Sequence, residues 1–110
     1  MKKSSSHNTG KFQDLYSGLI RLHILHHAAE EPIFGFGILE ELARHGYRLS
    51  AGTLYPLLHG MEKKGYLRSK GEFSEGRSRR VYRVTVLGRK ALEEAKDKVR
   101  ELFGELFEEI

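Results

Sequence analysis

The sequence predicts a mainly α fold with one small β-hairpin, a winged helix-turn-helix extended by a C-terminal pairing helix. Three observations predict it. Leu54, Leu57, Leu58 and Met61 recur at the i, i+3, i+4, i+7 positions of one helical face. After Gly65 the apolar period changes from helical to alternating over two short runs. Near the C-terminus Leu92, Ala95, Val99, Leu102 and Leu106 step by 3, 4, 3 and 4, a heptad-like seam.

Taken in order, residues 1–11 hold Lys2, Lys3, three serines and Gly10 with no apolar periodicity, which predicts a mobile basic arm without an assigned role. From Phe12 to about Ala29, Leu15, Leu19 and Leu22 mark one stripe, and Tyr16, Ile20, Ile24 and Leu25 widen it. A helix apolar over so much of its circumference is expected to be covered on two sides, and in a chain of 110 residues another subunit could supply the second cover. His23 and His27 stand at i, i+4, a spacing that can chelate a metal. No Glu, Asp or Cys close to them in sequence completes a shell, so they are expected to form a polar helix edge, with no metal and no cofactor.

Glu30, Glu31 and Pro32 end the first helix, and Phe34-Gly-Phe-Gly-Ile38 opens a second that runs to Arg44. Glycine is costly inside a helix, so Gly35 and Gly37 suggest close approach of another backbone. His45-Gly46 stops this helix, and a short turn leads to the central one. Two starts satisfy the spacing there: Ser50 as N-cap, or a helix beginning at Thr53 with Pro56 in its first turn. With the first start the turn around Pro56 is expected to be distorted, with Gly52 taking up the strain. The outer face carries Ser50, Gly52, Thr53, Tyr55, Pro56, His59, Lys63 and Lys64, small hydrogen-bonding groups mixed with positive charge.

Tyr66 to Phe73 and Arg79 to Thr85 form the two strands, with Ser74 to Ser78 as the turn between them. Arg77, Arg79 and Arg80 gather at that tip, beside the basic helix. Thr85 can cap the last helix, which continues to the C-terminus without proline. At about 1.5 Å per residue the stretch from Gly88 onward reaches about 35 Å, more than so small a body needs. Pairing of this helix with its copy in a two-fold dimer removes the exposure, and a return onto the first helix of the same chain is the alternative. The dimer contacts expected are Leu15, Leu19, Leu22, Leu92, Val99, Leu102, Phe103 and Leu106. The organisation is then an arm over 1–11, a winged helix-turn-helix over 12–87 and a dimerisation helix over 88–110.

Composition narrows the function. The net charge is +4, but residues 44–90 hold twelve Lys and Arg against three Asp and Glu, and residues 91–110 hold three against seven. Clustered positive charge is the footprint of a surface that meets phosphates. There is no cysteine, which removes disulfides, thiolate nucleophiles and Cys-based zinc sites and suits a reducing cytoplasm. The GxGxxG and GxxxxGK[ST] patterns are absent, and no acid–base pair or nucleophile constellation can be assembled, so no enzyme is expected. No apolar stretch is long enough for a membrane span.

The residues are specific enough to resemble a family. Leu49-Ser-Ala-Gly-Thr-Leu-Tyr-Pro-Leu-Leu58, then Met61-Glu-Lys-Lys-Gly-Tyr-Leu67 and Arg80-Val-Tyr-Arg-Val-Thr-Val-Leu-Gly88, look like the PadR family of bacterial transcriptional regulators, and Phe34-Gly-Phe-Gly-Ile38 is similar to its aromatic-glycine-aromatic opening of the second helix. The resemblance implies a repressor that dimerises through its terminal helices and docks in the major groove of double-stranded DNA. By position it places Ser50, Gly52, Thr53, Tyr55 and Pro56 at the start of the recognition helix and Arg77 to Arg80 at the wing. Tyr55 also fits as a core aromatic, and spacing leaves that open. The single C-terminal helix resembles the short members. Gly37 departs from the larger polar residue members often carry, and there is no tryptophan to stack a flat ligand between subunits. The sequence does not identify a small-molecule effector. The expectation is a sequence-specific regulator acting as a homodimer on a near-palindromic operator. A protein-interaction module using the same basic face is the alternative.

Overall fold

The computed structural model describes residues 12–108. The expected arm over 1–11 lies outside them. Four helices and a three-stranded sheet follow in the order α1 (Gln13–Glu30), β1 (Ile33–Phe34), α2 (Gly35–Arg44), α3 (Ala51–Lys63), β2 (Leu67–Ser74), β3 (Arg77–Val84) and α4 (Val86–Leu106). The sheet order is β1-β3-β2, antiparallel throughout. This is the winged helix-turn-helix the periodicities predict, with one strand more than the expected hairpin. Ile33 and Phe34 pair with Tyr82 and Val81. Two residues are too few to show an alternating period, which is why the sequence runs them into the following helix.

Apolar burial holds the layers together. Ile20, Ile24, Leu25 and Ala28 from α1 meet Ile38 and Leu42 from α2, Leu54, Leu58 and Met61 from α3, and Ile33, Leu67 and Tyr82 from the sheet. On α1 the residues that widen the stripe are therefore the ones that enter the core. Leu15 is 71% exposed and Leu19 46%, while Leu22 is half-buried. A helix apolar on both sides gives no periodic signal of which side faces its own chain.

Ser50 decides the start of α3. Its hydroxyl accepts the Thr53 N–H at 3.2 Å, and the helix runs from Ala51 without interruption through Pro56. Pro56 and Gly52, whose carbonyl loses its usual donor to the proline, are both exposed. The hairpin is longer than expected. Glu75 and Gly76 alone form its turn, both at positive φ (53° and 76°), the backbone that matches the right-handed twist of paired strands. Arg77 thus belongs to β3, opposite Ser74.

α4 begins at Val86, directly after the expected cap, and ends at Leu106. Thr85 caps it, accepting the Gly88 N–H at 2.9 Å, while its own hydroxyl donates to the Gly65 carbonyl and its N–H to the Tyr66 carbonyl at 3.1 Å. Leu92 is buried in its own chain, where α4 crosses α1, so it joins those two helices and leaves the expected dimer surface. Beyond Leu92 the helix projects. The radius of gyration is 15.5 Å, against about 13 Å for a compact chain of this length.

Candidate nucleic-acid interface

Two close approaches set the relation between the reading helix and its surroundings. The first is at Gly35, where a Cβ would lie 2.2 Å from Tyr55 Oη and 2.5 Å from the ring. The first turns of α2 and α3 can pack together only because that side chain is missing. The approach is by a side chain and not by the backbone that the glycines suggest, and Gly37 has nothing within 4 Å. Tyr55 lies between the two roles left open, one face on Gly35 and 43% of its surface exposed.

The second joins α3 to the wing. Glu62 accepts the Ser69 backbone N–H at 3.1 Å and the Ser69 hydroxyl, and that hydroxyl accepts from Arg80 Nη1 at 3.1 Å. On the other face of β3, the Arg79 guanidinium lies 4.2 Å above the Phe34 ring. β1 is so short that residues 77–80 of β3 run past its end, leaving a crevice of about 510 Å³ lined by Phe34, Phe36, Tyr55, Arg77, Arg79 and Arg80.

The structure thus brings Tyr55, Arg77, Arg79 and Arg80 to one crevice. Ser50, Gly52, Pro56 and His59 are exposed on the same helix, with Thr53 half-buried and tied to the Ser50 hydroxyl. Lys63 and Lys64 are exposed at its far end, about 20 Å along the axis from the cap. Sequence reasoning missed Glu62, Ser69 and Phe34 as the residues that aim the wing. Their partnerships cross the sheet or bridge two elements, and only the strand register, Ser69 opposite Tyr82 and Gly71 opposite Arg80, reveals them.

Tyr82 is buried beside this junction. Burial pushes its phenol pKa above the ordinary value and the Glu62 carboxylate adds to the rise, with Arg80 opposing. The unfolded chain ionises this phenol from about pH 10 while the folded chain does not. Stability contributed here is therefore full below about pH 10 and falls as the pH rises through the raised folded value. Denaturant unfolding measured at about pH 9 and pH 11 should show the loss. Tyr82→Phe should flatten it in part, because Tyr47, also raised by burial, gives the same sign.

Comparison with known proteins decides the class to which this arrangement belongs. Residues 24–94 match the transcriptional regulator PadR-like family. The chain belongs to the PadR-like family of transcriptional regulators. The transcriptional regulator Rv3488 of Mycobacterium tuberculosis is 52% identical over 87 residues, covering 79% of this chain and 81% of that protein. Among solved structures, a PadR family regulator from Eggerthella lenta superposes with a TM-score of 0.75 at 30% identity, covering 93% of each chain. A PadR-like regulator from Bacillus cereus gives 0.75 at 27% identity, over 88% of this chain and 99% of that one.

As a PadR-like regulator the protein acts through DNA and not through catalysis. The family match extends over α2, α3 and both long strands, the elements that build the crevice. Among the described residues no helix is long and apolar enough to cross a membrane.

Proposed function

We propose that this regulator binds double-stranded DNA sequence-specifically as a cytoplasmic homodimer and represses a promoter that overlaps a near-palindromic operator. The observation that carries the reading is the crevice lined by the exposed Tyr55 of α3 and by Arg77, Arg79 and Arg80 of the wing. The first turn of α3 presents unpaired backbone N–H groups and the positive end of the helix dipole, so it favours phosphate as it enters the major groove. Ser50, Gly52, Thr53, Tyr55 and Pro56 then lie nearest the base edges. His59, Lys63, Lys64 and the wing arginines lie along the flanking backbone, where contacts position the protein without reading sequence.

Dimerisation runs through the apolar face that α1 and α4 leave uncovered: Leu15, Leu19 and Leu22 on one, Val99, Leu102, Phe103 and Leu106 on the other. Two copies related by a two-fold axis carry their reading helices to successive turns of one face of the duplex, about 34 Å apart, which asks for an inverted repeat. A small-molecule effector would act by favouring a different spacing of the two helices.

Salt titration of DNA affinity tests the wing. Affinity should fall steeply with salt and still favour the operator over bulk duplex. Arg77→Ala gives the cleanest variant, because Arg79 is engaged with Phe34 and Arg80 with Ser69. It should flatten the log–log salt slope by about 1 and weaken all sequences alike. The triple variant with Arg79→Ala and Arg80→Ala should flatten it by about 2 to 3. An unchanged slope removes the wing from the interface. Binding indifferent to salt and sequence would favour the protein-interaction reading.

A further inference from the structure

The i, i+4 histidines of α1 have Glu30 and Glu31 as acidic neighbours in sequence, neither of them grouped with His23, and the fold supplies another carboxylate and a third imidazole. The C-terminal end of α2 lies against α1 and brings Glu41 and His45 to His23 and His27. One ring nitrogen from each of His23, His27 and His45 lies within 4.8 Å of the others. Glu41 Oε2 is 3.6 Å from His27 Nε2 and 3.1 Å from His45 Nε2. Its other oxygen, Oε1, is held by the Arg44 guanidinium, which fixes the carboxylate with Oε2 turned toward the imidazoles. The His27 Nε2 atom is buried and makes no hydrogen bond, an uncommon state for a buried polar nitrogen.

We propose that His23, His27, Glu41 and His45 form a binding site for a divalent first-row transition ion, with Zn²⁺ as its best-matched occupant. Three imidazoles and a carboxylate make a sulfur-free donor set suited to this class. In a tetrahedral Zn²⁺ site with metal–nitrogen distances of about 2.0–2.1 Å, ligand atoms lie about 3.3 Å apart. The two Glu41 distances bracket that value, and small rotamer changes of exposed His45 and half-buried His23 close the rest. The His23 and His45 rings stack at 4.5 Å. Neutral imidazole is the form that ligates.

A second group, His26, His27 and Glu30, shares His27 but lies along one helix with its other two members exposed and no fourth donor among the described residues. The four-residue site differs because its ligands come from α1, α2 and the residue that caps α2. An ion there clamps the first helix of the helix-turn-helix onto α1. Such a clamp does not depend on whether α3 reads DNA, so the two ideas stand or fall separately.

Full-length protein stripped with a chelator and titrated calorimetrically with Zn²⁺ should bind one equivalent per chain, melt at a higher temperature when loaded, and give the intense visible bands of four-coordinate metal with Co²⁺. His45→Gln and Glu41→Gln should each weaken Zn²⁺ binding by more than about a hundredfold, beyond the 10–100-fold that loss of a group outside the ligand set typically costs. His7→Gln, His26→Gln and His59→Gln should bind as the parent does. His45 is exposed, and an unaltered metal-free melt would show that its variant folds. Absence of stoichiometric Zn²⁺, a weak six-coordinate Co²⁺ spectrum, retention of binding in His45→Gln, or its loss in His26→Gln would each overturn the assignment.

Discussion

Gly88→Ala should destabilise the protein by about 3 kcal/mol, the upper part of the usual range for overpacking a tight site. The added Cβ would lie 2.2 Å from the Tyr66 carbonyl oxygen and 2.8 Å from Val84 Cγ2. Ordinary carbon–oxygen contacts lie at about 3.3–3.6 Å, so the relief needed is about 1 Å. The atom in the way is backbone and cannot rotate aside. The same carbonyl accepts the Thr85 N–H, and the Thr85 hydroxyl accepts the Gly88 N–H. Moving α4 away from the α3–β2 connection therefore strains the cap as well, itself worth about 1 kcal/mol. A loss of this size lowers the melting temperature by about 15 °C in a domain this small. Gly18→Ala is the control, since nothing lies within 4 Å of that position in α1, and it should stabilise slightly, by up to about 1 kcal/mol. Thermal melts of the two variants should shift in opposite directions. A neutral Gly88→Ala would mean that the junction between wing and α4 is slack.

Joint replacement of Val99 and Leu102 by glutamate should convert the protein to monomers that bind operator DNA poorly. Both side chains are about half exposed, and together with Phe103 and Leu106 they continue the α4 stripe past the point where α1 covers it. The open groove between α1 and α4, about 590 Å³, is lined largely by apolar residues including Leu19, Leu22, Val99 and Phe103. Each large apolar side chain buried in a pairing interface contributes about 1.5–3 kcal/mol. A two-fold interface repeats each loss and adds four carboxylates with no designated partners, each costly to desolvate. Dimers should therefore vanish at micromolar concentration, as sedimentation would show. Operator affinity should fall by about 10²–10⁴, the gain that linking two half-site contacts provides. The monomer's own fold should survive, because neither residue belongs to its core, and circular dichroism checks this. Variants that remain dimeric would place the pairing face elsewhere.

These two expectations come from different sources. The pairing stripe is visible in the sequence because Val99, Leu102 and Leu106 share one helical face and must be covered by something. The same logic finds the core side of α3 and the Ser50 and Thr85 caps, where a hydroxyl stands ahead of a run of apolar residues. The Gly88 contact is invisible by that route. Nothing near position 88 reveals that Tyr66, separated from it by the whole hairpin, presents a carbonyl there. The glycines of Phe34-Gly-Phe-Gly-Ile38 give a half-signal: they suggest a close approach, but not that Tyr55 makes it or that only Gly35 is involved. The candidate interface is similarly divided. The basic residues can be listed from charge clustering, whereas the crevice that gathers three of them beside Tyr55 depends on β1 stopping after two residues.

What the sequence alone determined is the set of elements, their amphipathic faces and the class of regulator, because periodicity, caps and the Gly-Thr-Leu-Tyr-Pro run are local in the chain. Tertiary structure decided which side of α1 enters the core, how Glu62 and Ser69 aim the wing, and that Glu41 and His45 reach the histidines of α1. The physical reason is common to all three. Each depends on contacts between segments distant in sequence, and the packing that makes those contacts leaves no repeat along the chain from which to read them.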